Sequence, residues 1–172
     1  MHKIILAISV LAFFNGTPAF ANDDMSAYVK NLKPVGSGRL SFLTMDVYDA
    51  ALFAPQGQWK PGEPLALRLT YLRALKGNKI ADRSIEEMRG IGVTDEVRLA
   101  AWHTQMREIF PDVDDGITLT GVLNSQGETI FLKNDEEIGR IKDPGFGQAF
   151  FDIWLSEKTN EPRLRKKLLG AS

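Results

Sequence analysis

Apolar positions in this chain alternate between a two-residue and a 3.6-residue period, and each switch predicts a change of element. The clearest alternation runs from Leu65 to Arg73. There Leu65, Leu67, Leu69, Tyr71 and Arg73 share one face, and Ala66, Arg68, Thr70 and Leu72 share the other, as in a strand. Upstream, Leu40 and Phe42 flank Ser41, and Val47, Tyr48, Ala50, Leu52 and Phe53 extend an apolar stretch to Pro55. This predicts one long bent strand or two consecutive ones. Ser84 and Glu87 have the spacing of a capping box ahead of a stripe of Ile85, Met88 and Ile91 that Gly92 stops. A second helix is expected from Thr94, with Leu99, Trp102, Met106, Ile109 and Phe110 as its stripe and Pro111 as its end.

Past Gly116 the two-residue period returns in ITLTGVL, TIFL and EIGRI, separated by turns at 124–127 and 134–135. The chain closes on an aromatic helix and a basic one. Phe146, Ala149, Phe150, Ile153 and Trp154 form one stripe; Thr159 or Asn160 then caps a segment with Pro162 in its first turn and Gly170 past its end. Strands, helices, strands and helices in that order predict an α+β fold, an antiparallel sheet with a helical layer packed on one side.

The first 21 residues have a different character. Lys3, the apolar run Ile4 to Phe14, a break at Asn15 to Pro18 and the small-x-small Ala19-Phe20-Ala21 have the organisation of a signal peptide. The run is shorter than the ~20 apolar residues of a membrane span. A periplasmic or secreted protein cleaved near Ala21 is the expectation, with residues 22–172 as a single domain. The chain has no cysteine, which excludes disulfides, thiol chemistry and a lipoprotein anchor. At this length a hydrophobic core needs no covalent staple.

Charge narrows the partners. Without Lys3, 20 of the 21 basic residues remain against 22 acidic ones, so no nucleic-acid partner is expected. Arg163, Arg165, Lys166 and Lys167 make the one basic run. It reads as a solvated helix face, with weak contact to anionic headgroups as the sharper alternative. No metal is expected, because beyond residue 21 the chain has a single histidine, His103. No serine stands in a G-x-S-x-G turn, and Gly36-Ser37-Gly38 is too short for a phosphate loop; no cofactor is expected.

Arg73 is the residue with an open question. On the apolar face of its strand a guanidinium needs a partner, since breaking a buried pair costs about 3–5 kcal/mol. The partner is either an internal acid, such as Asp82, Glu86 or Glu87, or the carboxylate of a ligand with Tyr71 as hydroxyl donor. Arg39, beside a two-glycine turn, poses the same choice.

The stretches GSGRLSFLTMDVYDAALFAP, LALRLTYLR, SIEEMRGIG, FPDVDDG and FFDIWLSEKTNEPRLRKKLLG, taken in order, resemble the bacterial chalcone isomerase-like proteins from Val35 to Gly170. The resemblance implies an antiparallel sheet and helical layer enclosing a ligand cleft, as in plant chalcone isomerases and the fatty-acid-binding proteins of that fold. It does not carry over the isomerase residues. Arg39 matches the family's arginine, but Thr44 is out of register by one from the threonine position, which turns it to the other strand face. The helix from Thr94 to Phe110 lacks the family's tyrosine and asparagine.

The resemblance therefore implies a periplasmic, non-catalytic binding protein for an amphipathic carboxylate such as a fatty acid. Arg39 or Arg73 would hold the head group, with Tyr48, Tyr71, Trp102 and His103 completing the candidate site. Two alternatives stand beside it. One is an isomerase- or lyase-type enzyme with His103 as acid or base. The other is a structural or interaction protein with a filled core, no pocket above ~300 Å³ and an exposed apolar patch instead.

Overall fold

The computed structural model describes residues 25–171; the segment read as a signal peptide lies outside them. Six strands form one antiparallel sheet in strict sequence order: β1 (Leu32–Phe42), β2 (Met45–Pro55), β3 (Leu65–Tyr71), β4 (Thr118–Leu123), β5 (Thr129–Lys133) and β6 (Glu136–Ile141). Helices α1 (Gly77–Gly90) and α2 (Glu96–Ile109) lie between β3 and β4, and α3 (Pro144–Leu155) and α4 (Pro162–Leu168) follow the sheet. This is the expected α+β architecture.

The main core lies between the sheet and the helices. Leu65, Leu67, Leu69 and Tyr71 of β3 face it together with Tyr48, Ala50 and Leu52 of β2. The expected stripe of α3 is buried in full: Phe146, Ala149, Phe150, Ile153 and Trp154 are each 8% exposed or less. Its aromatic rings pack mostly edge-on against one another and against Phe131 of β5 and Phe110, geometries that suit the ring quadrupoles. The opposite sheet face is also covered. A single 3₁₀ turn, Met25–Ala27, begins a lead that places Met25, Val29 and Leu32 on Phe53, Ala66, Val122, Ile130 and Leu132.

The long apolar stretch from Leu40 to Pro55 is two strands, joined by a tight turn at Leu43-Thr44 between paired Phe42 and Met45. Nothing in the local sequence announces that turn, because it contains no glycine, proline, asparagine or aspartate. Just beyond it the register slips: Leu40 pairs with Tyr48 and Ser41 with Asp46, leaving Val47 as an extra residue. The bulge turns Val47 and Tyr48 alike toward the helical side.

Helix starts are displaced from those expected. The capping box at Ser84 does not form, since α1 begins seven residues earlier and the Ser84 hydroxyl donates to the Ile80 carbonyl instead. The first turn of α1 is capped from a distance by Asp112, whose Oδ1 accepts from the Gly77 N–H at 2.9 Å. A residue larger than glycine cannot stand there, because a Cβ would lie 2.1 Å from the Phe110 carbonyl oxygen. Asp95 rather than Thr94 caps α2, accepting from Arg98 N. Thr159 is not the cap of α4: its hydroxyl donates to the Ile153 carbonyl and accepts from Glu161 N, just ahead of Pro162.

Asp143 ties the helical layer together. It caps α3 through the Gly145 N–H and receives Arg98 Nη2 and Trp102 Nε1 from α2, the latter at 2.9 Å. Burial pushes its carboxyl pKa up, but the hydrogen bonds from Arg98, Trp102 and Gly145 outweigh it and leave the pKa below the ordinary value. A depressed folded-state pKa contributes stability that is whole above the unfolded value of ~3.9 and is lost as pH falls through the folded one. Asp143→Ala is expected to cost about 1 kcal/mol for the lost cap. Thermal melts as a function of pH check this: the gap between parent and variant narrows in acid.

Candidate functional site

Between α1 and α3, over β2, β3 and β4, the core opens into a cavity of about 380 Å³. Pockets that hold small molecules run from ~300 to 1,000 Å³; the volume falls within that range, and the core is not filled as the structural or interaction alternative expected. The floor crosses the sheet through paired residues, Leu69 with Leu119 and Leu67 with Gly121, and on to Phe131 beside Gly121. Gly121 keeps this floor low where the Phe150 and Phe151 rings approach, since a Cβ would meet them at 3.2–3.4 Å. Phe110 and Phe150 close the cavity from the helical side.

Polar groups gather at one end, next to the β1–β2 hairpin. Tyr48 and Tyr71 pair across β2 and β3, with their rings edge to face at 5.9 Å. The Tyr48 oxygen accepts a 2.9 Å hydrogen bond from Trp154 Nε1, which leaves its own O–H free to donate. Tyr71 is 2% exposed and lines the cavity, yet its hydroxyl bonds to no protein group among the described residues. Burial pushes the pKa of both phenols well above the ordinary ~10, so both remain protonated donors.

Charge reaches the same end from α1 and α4. Lys79, Ile80, Arg83, Ser84 and Glu87 recur at helical spacing and all line the cavity. Glu87 is buried and held on both oxygens, by Arg83 Nη2 and by Asn160 Nδ2 at 2.7 Å. Glu161, just ahead of α4, joins them at the rim. Its carboxyl pKa is raised, first by partial burial and then by the charge of Glu87, against the pull of Arg83.

Of the six residues expected at the site, the structure brings two to the cavity, Tyr48 and Tyr71. Arg39 is a correction: it lies on the exposed face of the edge strand, bound by Asp49 at 2.7 Å and Asp46 at 2.8 Å. Arg73 is a second, because β3 ends at Tyr71 and takes Arg73 off its face. Its guanidinium contacts Met45 Sδ at 3.3 Å and meets neither the cavity nor the acids proposed for it. Trp102 is buried under α2 against Phe146 with its indole on Asp143. His103 bridges α2 to α1 through Asp82, Nε2 to Oδ1 at 2.8 Å, so it offers the cavity no acid or base.

The sequence reading missed Arg83, Glu87 as a lining group, and Glu161. The four-residue recurrence Lys79-Arg83-Glu87 was the available signal, hidden by a helix start placed at Ser84.

Three comparisons bear on this arrangement. The chain matches the family model described as chalcone isomerase-like over residues 19–170. It is 28% identical over 167 residues to an uncharacterised protein of Haemophilus influenzae, covering 96% of this chain and 76% of that one. Its fold is similar to the crystal structure of an Arabidopsis thaliana fatty-acid binding protein, with a TM-score of 0.61 and 12% identity over 81% of this chain and 87% of the other.

The electrostatics of the rim can be read directly. In a carbon-detected NMR titration Glu161 is expected to titrate above an ordinary glutamate (~4.3), and Glu87→Gln to bring it part of the way down. An unchanged Glu161 titration in that variant would remove Glu87 as a cause.

Proposed function

The chain belongs to the chalcone isomerase-like family, and from that premise we propose that it is a non-catalytic binding protein for an amphipathic carboxylate of the fatty-acid class. The supporting observation is the asymmetry of the cavity. A floor of leucine and phenylalanine crosses the sheet centre, and two phenolic donors with unspent protons stand together at one end. An alkyl chain laid on that floor exchanges water for apolar contact at roughly 0.8 kcal/mol per methylene. Its carboxylate then lies at Tyr48 and Tyr71, where donors to a charged acceptor are worth about twice those to a neutral one.

The rim groups set the head-group chemistry. Arg83 and Lys79 supply positive charge and Glu87 and Glu161 negative charge, so the mouth is close to neutral overall. A single carboxylate received by hydroxyl donors fits that balance better than a doubly charged phosphate. The fatty-acid binding protein of similar fold is consistent with this class of ligand. With residues 1–21 read as a signal peptide, binding takes place outside the cytoplasm.

Organic extraction of the purified protein followed by mass spectrometry, and titration with a fluorescent long-chain fatty acid, test the proposal. One probe per chain is expected to bind. Tyr71→Phe weakens it about ten-fold. Leu119→Trp, which fills the floor, abolishes binding while the fold survives an overpacking cost of about 1–3 kcal/mol. Arg39→Ala and Arg73→Ala bind as the parent does, because neither guanidinium reaches the cavity. An empty extract together with no saturable binding by the parent rejects the proposal.

A further inference from the structure

The tip of the β1–β2 hairpin breaks two rules that the rest of the chain obeys. Four large apolar side chains are exposed among the described residues, and three of them fall within four positions: Phe42 at 65%, Leu43 at 83% and Met45 at 45%. Clustered exposure of this kind marks an interaction site, whereas a lone residue such as Val97 needs no explanation. Leu43 also has φ of 56°, in the left-handed region that costs an L-residue steric strain. The other non-glycine residues there are Asn31, Gln56, Asn134 and Asp135, all polar. A two-residue hairpin turn favours glycine or asparagine at such a position. Here the chain places leucine, at a cost to both solubility and backbone energy.

Two features of the surroundings specify the partner. Phe42 belongs both to the exposed tip and to the cavity wall, so the patch runs continuously into the ligand site. Arg73 sits against Met45 Sδ, with no carboxylate in ion-pairing range among the described residues. Leu43 and Met45 beside an uncompensated guanidinium match the layering of a bilayer surface, hydrocarbon beneath a plane of phosphates. Asp46 and Asp49 share the single guanidinium of Arg39, and Arg73 brings the charge of the hairpin and its neighbour to zero, so the apolar tip meets the bilayer without net repulsion.

We propose that the Phe42–Met45 tip inserts into the surface of a lipid bilayer, with Arg73 on a lipid phosphate, and so places the cavity mouth at the membrane for ligand exchange. The role in exchange rests on the ligand-binding reading above; insertion itself rests on the hairpin alone.

Leu43→Gly separates function from folding, because glycine relieves the strained φ while deleting the inserted side chain. The full mature chain, this variant, Met45→Ser and Arg73→Gln are to be co-sedimented with phosphatidylcholine vesicles, with and without phosphatidylglycerol. Transfer of a fluorescent fatty acid from the vesicles is followed in parallel. Leu43→Gly is expected to melt no lower than the parent, to keep its affinity for the probe in solution, and to lose about ten-fold or more in vesicle partitioning. Transfer slows to match. Met45→Ser weakens partitioning in the same direction, and Arg73→Gln removes about five-fold, in phosphatidylglycerol vesicles chiefly.

Vesicle binding by Leu43→Gly equal to the parent's overturns the proposal, as does a parent that does not sediment with vesicles. A parent that dimerises in sedimentation velocity, with the dimer lost in Leu43→Gly and no vesicle binding, assigns the tip to a second copy of this chain instead. Tip-dependent vesicle binding by a parent that takes up no fatty acid rejects the ligand reading and leaves insertion standing.

Discussion

Two indole hydrogen bonds anchor the ends of α3, the helix whose aromatic face forms one wall of the cavity. Trp102 of α2 donates to Asp143 at the start of the helix, and Trp154 at its far end donates to Tyr48 in the sheet. Between these anchors Phe146 and Phe150 stack on one another and meet Phe131 edge-on, which fills the space under the first half of the helix. The helix crosses the sheet between these anchors, and the space between it and α1 is open over Leu67, Leu69 and Gly121.

The same hydrogen bond that holds α3 also prepares the site. By occupying an acceptor position on the Tyr48 oxygen, Trp154 turns that phenol into a directed donor, while Tyr71 beside it is left without a protein partner. Both hydroxyls face the open cavity, so water or a guest there can accept from them. The helix anchor Tyr48 is therefore also one of the two head-group donors of the proposed ligand site, paired with Tyr71 on the adjacent strand. The charged groups around them are mostly spent on each other, as in the Arg83–Glu87–Asn160 chain, and serve to seal the rim rather than to attract a strongly charged guest.

At the opposite extreme of burial, the hairpin tip carries the unfavourable terms that the interior avoids. An exposed leucine in a left-handed conformation persists only if the surrounding strands hold it there, and the eleven-residue strands on either side do so. Interior and tip share Phe42, so both departures from ordinary packing lie along one path from solvent to the cavity floor.

Much of this protein was legible in its sequence. The aromatic stripe of α3, the face of β3 as far as Tyr71 and the Leu99, Trp102 and Met106 stripe of α2 are periodic patterns, set by interactions within a few residues, and they hold in the fold. So do the class of the fold and the two tyrosines, which occupy inward positions of strands that could be phased by alternation. The turns at 124–127 and 134–135 were also legible, but the inferences about which charged groups reach the cavity failed where they depended on other boundaries between elements. The bulge at Val47 changes which residues face inward after it, the strand end at Tyr71 removes Arg73, and a helix begun at Gly77 under an Asp112 cap brings Arg83 to a cavity that sequence reasoning gave to Arg39. Those boundaries are decided by partners tens of residues away, through register, capping and steric fit. Local periodicity carries no information about them, so only the tertiary structure could say which side chains share the hollow.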